Sequence, residues 1–185
     1  MKSQMSKRRF LKMFIKQPKV NASITPSSKK AARAMIRGLD LSQMKYVVEL
    51  GPGTGVFTDL LSLRLPQDCT VLLIELEQSY IKNLQEKYDD RFEVIQSSAC
   101  ELDKILTERN VQNVDLVVSS LPFNMPNEAK KKLQSTLLNL TSNGTCMRWF
   151  TYFPCLMKKH YRQFEMSKTC FVAWNFPPMW IYTVN

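Results

Sequence analysis

The residues best suited to chemistry are Glu49-Leu50-Gly51-Pro52-Gly53-Thr54-Gly55 and a carboxylate twenty positions after Gly55, Glu75. Glycines at this spacing let a chain leave a strand in a sharp turn and bring bare backbone against a ligand. In doubly wound α/β folds such turns lie where nucleotides bind, and an acid at the end of the next strand accepts from ribose hydroxyls. The same turn also serves purely structural ends, and Glu75 also suits a solvated acid at a strand end. Glu77 competes with Glu75 for the ribose role.

The spacing is Gly-x-Gly-x-Gly, not the Gly-x-Gly-x-x-Gly of pyrophosphate-binding turns. A nucleoside with an amino-acid end in place of pyrophosphate fits a shorter turn preceded by an acid, and S-adenosyl-L-methionine is such a ligand. Glu49 would then hold its ammonium, directly or through water, while Gly51, Gly53 and Gly55 admit the ligand. After the third strand, Ser97-Ser98-Ala99-Cys100 would flank the adenine, although small polar residues there also make simple turns.

The elements that must position these residues are legible as alternation. Apolar, β-rich runs at Tyr46–Leu50, Thr70–Leu76, Phe92–Ile95 and Val114–Val118 alternate with helical stretches near Thr58–Leu65, Ser79–Lys87, Glu101–Arg109 and Glu128–Leu140. Repeated β-α of this kind predicts a parallel sheet with helices on both faces. Past Asn143-Gly144 the pattern predicts a strand (Thr145–Tyr152), a short helix (Cys155–Phe164) and two strands joined at Pro177-Pro178. Ahead of the sheet, turn-rich residues 21–28 should lead into a helix from Lys29 to about Gly38.

The 185 residues suffice for one sizeable core. We divide the chain into a basic amphipathic segment, 1–20, and an α/β domain, 21–185. Five scattered cysteines, without a Cys-x-x-Cys pair, argue against a disulfide framework or zinc site and fit a reducing, cytoplasmic setting. No metal is expected.

Net charge is +10, and its distribution matters more than its size. Eleven Lys or Arg residues and no acid precede Asp40; fifteen bases and sixteen acids follow from there. On a helix, Phe10, Leu11, Met13, Phe14 and Ile15 share one broad face, with Arg8, Arg9, Lys12 and Lys16 opposite. That is the pattern of an interfacial helix on anionic lipid, with Arg8, Arg9, Phe10, Met13 and Phe14 as the expected contacts. A helix packed on the domain, a basic tail or a phosphate-binding arm for nucleic acid would share much of it. Lys12 and Lys16 interrupt the apolar stretch, so there is no continuous signal-peptide core.

The sequence resembles the bacterial phospholipid N-methyltransferases, relatives of the ribosomal-RNA adenine dimethyltransferases. The resemblance rests on the glycine turn, Ile74-Glu75, Ser119-Ser120-Leu121-Pro122-Phe123, Thr25-Pro26-Ser27-Ser28, Phe150-Thr151-Tyr152 and Asn175 to Tyr182. It implies a Rossmann-like class I fold with a mostly parallel seven-stranded sheet and an N-terminal amphipathic helix. It also implies methylation of phosphatidylethanolamine toward phosphatidylcholine, with the enzyme peripheral on the inner face of the cell membrane. Ser27, Ser98, Ala99 and Ser119 would join the cofactor site. One departure stands out: Ser97-Ser98-Ala99 replaces the Gly-Asp-Ala common in these relatives, and a hydroxyl is a weaker acceptor than a carboxylate.

An amine acceptor poses a proton problem, because a primary ammonium with a pKa of about 10 has no free lone pair at neutral pH. Desolvation by Phe123, Phe153 and lipid would favour the neutral amine. The carbonyls of Ser120, Leu121 and Pro122 could orient it, and Tyr152 could hydrogen-bond it or relay its proton, unless Tyr152 is an ordinary core-edge tyrosine. RNA adenine methylation is the competing reading. Those enzymes carry Asn or Asp where Ser120 stands, and a helical domain after the catalytic one, so nucleic acid is the less favoured partner. A non-catalytic protein retaining the fold is the third. His160, in a basic stretch, is expected at the surface; Trp149, Trp174 and Trp180 suit core or interface anchors better than a cation cage.

Overall fold

The computed structural model describes residues 29–121, 125–155, 161–173 and 178–184. Ser27 and the segment containing Arg8, Arg9, Phe10, Met13 and Phe14 lie outside them, as do Pro122, Phe123, His160 and Trp174.

Strands β1 (Tyr46–Leu50), β2 (Thr70–Glu75), β3 (Phe92–Gln96), β4 (Leu116–Ser119), β5 (Cys146–Thr151), β6 (Ser167–Val172) and β7 (Met179–Val184) form one seven-stranded sheet in the order β3-β2-β1-β4-β5-β7-β6. The pairings among β1 to β5 are parallel, and β7 runs antiparallel to both β5 and β6. Strands covered on both faces read as unbroken apolar runs. Thus Val71, Leu72, Leu73 and Ile74 of β2 are all buried, with their side chains alternating between two cores.

Helices α1 (Lys29–Met35), α2 (Val56–Ser62) and α3 (Gln78–Lys87) supply one core, in which Ala31, Met35, Phe57, Leu61 and Leu84 join Val47, Val71 and Leu73. Helices α4 (Leu102–Glu108) and α5 (Asn127–Ser142) supply the other, where Leu102, Ile105, Leu133 and Leu137 join Val48, Leu50, Leu72 and Val117.

Two helix ends differ from expectation for identifiable reasons. The second helix stops at Ser62 instead of Leu65, where the Arg91 guanidinium donates to the carbonyls of Ser62, Leu65 and Pro66 at 2.7, 3.2 and 2.9 Å. Pro66 has no N–H to offer the Ser62 carbonyl, so the helix cannot continue and the guanidinium satisfies that carbonyl and those of Leu65 and Pro66. The predicted helix Cys155–Phe164 does not extend to its end: residues 161–164 form a turn closed by Phe164 N–H to Tyr161 O at 3.2 Å. Tyr161 and Phe164 both pack on Trp149, with ring centroids 4.5 and 5.3 Å away, and that aromatic cluster sets the turn.

At the end of α1, Arg148 of β5 is buried and donates to Met35 O at 3.4 Å and Arg37 O at 3.2 Å. A cation on the last carbonyls caps the helix and opposes its dipole.

Candidate active site

Strand β1 delivers the glycine turn to the carboxyl edge of the sheet, between β2 and β4, where the strand order reverses. Gly51, Gly53 and Gly55 all have positive φ, +73°, +56° and +80°. Gly51 N–H donates to Ile74 O at 2.9 Å, and Gly55 occupies the N-cap of α2. A β-carbon on Gly53 would meet nothing within 4 Å, so this backbone faces open space.

Glu75 ties the turn to the neighbouring strand. Its Oε2 accepts the Gly53 N–H at 2.9 Å and its Oε1 accepts the Glu77 N–H at 2.9 Å. Each carboxylate oxygen retains a further lone pair for a ligand hydroxyl. Glu77, the competitor for the ribose role, caps α3 by accepting from Ser79 N–H at 3.4 Å.

A cleft of about 340 Å³ opens here, lined by Gly51, Pro52, Gly53 and Thr54 from the turn, Glu75 and Glu77 after β2, and Ser97, Ser98 and Ala99 after β3. Ser120, Leu121, Met125, Phe150 and Tyr152 close its far side. Ser98 begins the short 3-10 turn Ala99–Glu101, where its hydroxyl accepts from Cys100 N–H at 3.5 Å. The Ser120 hydroxyl oxygen is shielded and has no hydrogen-bond partner among the described residues. The Phe150 and Tyr152 rings pack edge to face with centroids 5.5 Å apart, which orients the tyrosine at the cleft.

Three expected cofactor residues sit elsewhere. Glu49 does not line the cleft; it is wholly buried under the turn, where Oε2 accepts the Thr58 hydroxyl at 2.7 Å and Oε1 has no partner among the described residues. Burial pushes its carboxyl up to about 8, against the lowering by the Thr58 hydrogen bond. Gly55 faces Tyr88, whose hydroxyl would collide with a β-carbon there, so it serves packing and not ligand approach. Ser119 is the last residue of β4, buried between Leu50 and Trp149 in the sheet register.

Sequence reasoning missed Tyr80, Met125 and Phe57 in the cleft wall and Tyr88 behind it. Tyr80 lies on the first turn of α3, three residues beyond Glu77, and that placement was the available signal. The residues fit S-adenosylmethionine: a Gly53 β-carbon would intrude on the cleft, and a carboxylate stands at the ribose position.

Solved structures share the fold. A dimethyladenosine transferase from Plasmodium falciparum is similar at TM-score 0.55 and 17% identity, over 85% of this chain and 61% of that one. A SAM-dependent methyltransferase from Aquifex aeolicus is similar at TM-score 0.61 and 11% identity, over 98% of each. Aeropyrum pernix fibrillarin, solved with natively bound S-adenosyl-L-methionine, is similar at TM-score 0.63 and 17% identity, over 89% of this chain and 76% of that one. Fold and site together define a class I S-adenosylmethionine-dependent methyltransferase.

Residues 5–147 match the ribosomal RNA adenine dimethylase family, and the chain belongs to it. Among curated relatives, the ornithine lipid N-methyltransferase of Singulisphaera acidiphila is 30% identical over 177 residues, 94% of this chain and 92% of that protein. The ribosomal RNA small subunit methyltransferase A of Trichormus variabilis is 29% identical over 117 residues, 60% of this chain and 42% of that protein.

Proposed function

We propose that the chain methylates the amine of a membrane lipid headgroup. The observation that carries this reading is extent. Similarity to a lipid N-methyltransferase runs through 92% of that protein, whereas the Trichormus RNA methyltransferase is matched over 42% of its length. Ser120 supports the same reading, because its side chain offers no amide or carboxylate oxygen to a purine amino group at the cleft wall. The relative's name makes ornithine lipid the first acceptor to test; phosphatidylethanolamine, which the sequence resemblance implies, is the second.

Bound in the cleft, the cofactor supplies a methyl group already activated on a sulfonium. Gly53 and its neighbours hold the amino-acid end by close backbone approach, and Glu75 accepts the ribose hydroxyls. Leu121, Met125 and Phe150 exclude water and favour the uncharged amine. As the N–C bond forms and the S–C bond breaks, the Tyr152 hydroxyl and the Ser120 and Leu121 carbonyls orient the nitrogen. The departing proton passes by the Tyr152 oxygen toward solvent. In this reading the basic segment, through Arg8, Arg9, Phe10, Met13 and Phe14, attaches the enzyme to anionic lipid on the inner face of the cell membrane.

The test is transfer of labelled methyl from S-adenosylmethionine to vesicles carrying ornithine lipid or phosphatidylethanolamine, beside ribosomal RNA. Labelled lipid and unlabelled RNA are expected. Labelled RNA with no labelled lipid would overturn the proposal.

A further inference from the structure

A second cavity, about 630 Å³, lies between the end of α1 and the end of α2 and shares no residue with the cofactor cleft. Arg33, Arg37 and Arg64 line it, over an apolar part made by Ile36, Leu39 and Leu60. These three arginines stand apart from most of the bases around them. Lys45, Lys87, Arg109 and Lys132 each pair with a carboxylate: Asp68, Asp59, Glu93 and Glu101. Arg33, Arg37 and Arg64 have no such pair among the described residues, and all sixteen acids of the sequence lie within those residues, so no undescribed acid remains to neutralise them. The one acid in the wall, Asp40, is engaged by Ser42, accepting its N–H at 3.0 Å and its hydroxyl at 2.7 Å.

Against the single Asp40 carboxylate, three guanidinium groups leave an excess of positive charge around the concavity, which attracts an anion. Their fork geometry matches the oxygens of a phosphate. The apolar part, with Leu63 beside Arg64 at 78% exposure, suits a phosphate carried on a hydrocarbon stem. No aromatic side chain among the described residues lines the cavity, so they supply no stacking platform of the kind single-stranded nucleic acid uses. We propose that this cavity is a phosphate subsite, separate from the methyl-transfer site, that takes a phosphodiester or phosphomonoester on an apolar stem. A phospholipid presents both parts of that chemistry, and free glycerol phosphate its phosphate ester alone. The inference stands independently of which amine is methylated.

The test uses the full chain, a triple variant Arg33→Gln/Arg37→Gln/Arg64→Gln, and a charge-matched control Lys130→Gln/Arg162→Gln/Lys168→Gln, whose residues line neither cavity. One arm measures flotation with phosphatidylcholine vesicles containing phosphatidylglycerol. The other follows arginine side-chain N–H resonances during titration with glycerol phosphate. Each cation near an anionic surface is worth roughly fivefold in affinity, so the triple variant should bind vesicles on the order of a hundredfold more weakly, and the control less than tenfold. Loss in the vesicle arm alone assigns the phosphate to lipid; resonance shifts with glycerol phosphate assign it to a soluble ester as well. Equal vesicle binding by the two variants, with unmoved arginine resonances, overturns the proposal. So does a response to RNA oligonucleotide alone. Calorimetric binding of S-adenosylmethionine checks that the triple variant is folded, and Arg64→Gln followed by the same resonances replaces it if it is not. Because neither arm measures methyl transfer, failure here is distinct from failure of the acceptor reading.

Discussion

The Tyr88 hydroxyl reaches back 33 residues to the carbonyl of Gly55, at 2.9 Å, while standing 2.8 Å from Asp59 Oδ1. Its single proton serves two acceptors, and burial together with the Asp59 carboxylate raises its pKa. The tyrosine thereby pins the last glycine of the turn from behind. Tyr88→Phe should cost about 1 kcal/mol of stability and weaken cofactor binding by loosening the turn. Thermal unfolding and calorimetric titration read the two effects.

The glycines of the turn should separate by phenotype. Gly53→Val meets no protein atom within 4 Å of its β-carbon, so beyond the backbone cost of a β-branched residue at φ +56° its effect should be loss of S-adenosylmethionine binding by the folded protein. Gly55→Ala, at φ +80° and against Tyr88, should lose stability first, by about 1–2 kcal/mol from the backbone alone. Unchanged cofactor affinity in folded Gly53→Val would remove the central claim about the cleft.

Glu75→Ala strips both backbone N–H groups of Gly53 and Glu77 of their acceptor and removes the ribose contact. Charge-assisted hydrogen bonds are worth about 1.5–3 kcal/mol, so affinity should fall roughly 10- to 100-fold. Glu75→Gln keeps one acceptor oxygen and should fall between wild type and Glu75→Ala in the same titration.

Glu49 makes stability depend on pH with a definite sign. Folded, its carboxyl keeps a proton up to about 8, whereas its ordinary value is 4.5. The folded state then binds more protons than the unfolded one between those values, so this residue's contribution falls as pH rises from 4.5 to 8 and is fully lost above 8. Glu49→Gln cannot ionise and should flatten that slope, by on the order of a few kcal/mol across the window. Denaturant unfolding at pH 5 and pH 9 compares the two proteins; parallel slopes would show that Glu49 is not the group responsible.

The basic segment gives the last prediction. Phe10→Asp with Phe14→Asp should abolish vesicle binding while leaving S-adenosylmethionine binding intact, because neither position is among the described residues that build the sheet and line the cleft. Each phenylalanine contributes up to roughly 1.5–3 kcal/mol when fully buried, against about 1 kcal/mol for each nearby cation. Wild-type binding that survives high salt would further separate an apolar anchor from a purely electrostatic tail.

Strand β1 begins and ends where sequence reading puts it, and β2 and β3 fall within a residue, because parallel strands buried on both faces show as bounded apolar runs. The carboxyl-edge loops were legible for a related reason: topology carries Glu75, Ser98, Ser120 and Tyr152 to one cleft once the strands are ordered. What each side chain touches was not legible. Three glycines with positive φ look alike in sequence, yet one faces the cleft and another a tyrosine 33 residues on. Glu49 read as a ligand because it precedes the turn, but strand alternation carries it inward to Thr58. The arginine cavity joins α1 to the end of α2, and no local pattern announces such a pairing.

The place of β7 bears on how the protein is made. It is the last of the seven strands in chain order but lies inside the sheet, between β5 and β6. Synthesis proceeds from the N-terminus, so β5 and β6 emerge first and neither has its neighbour until β7 follows. Meanwhile the outer edge of β5, with apolar Met147, Trp149 and Phe150, presents unpaired backbone groups to other chains. Insertion of residues 179–184 closes that edge and pairs β6 in the same event. A chain that has made β6 but not β7 therefore exposes strand edge that the finished sheet covers.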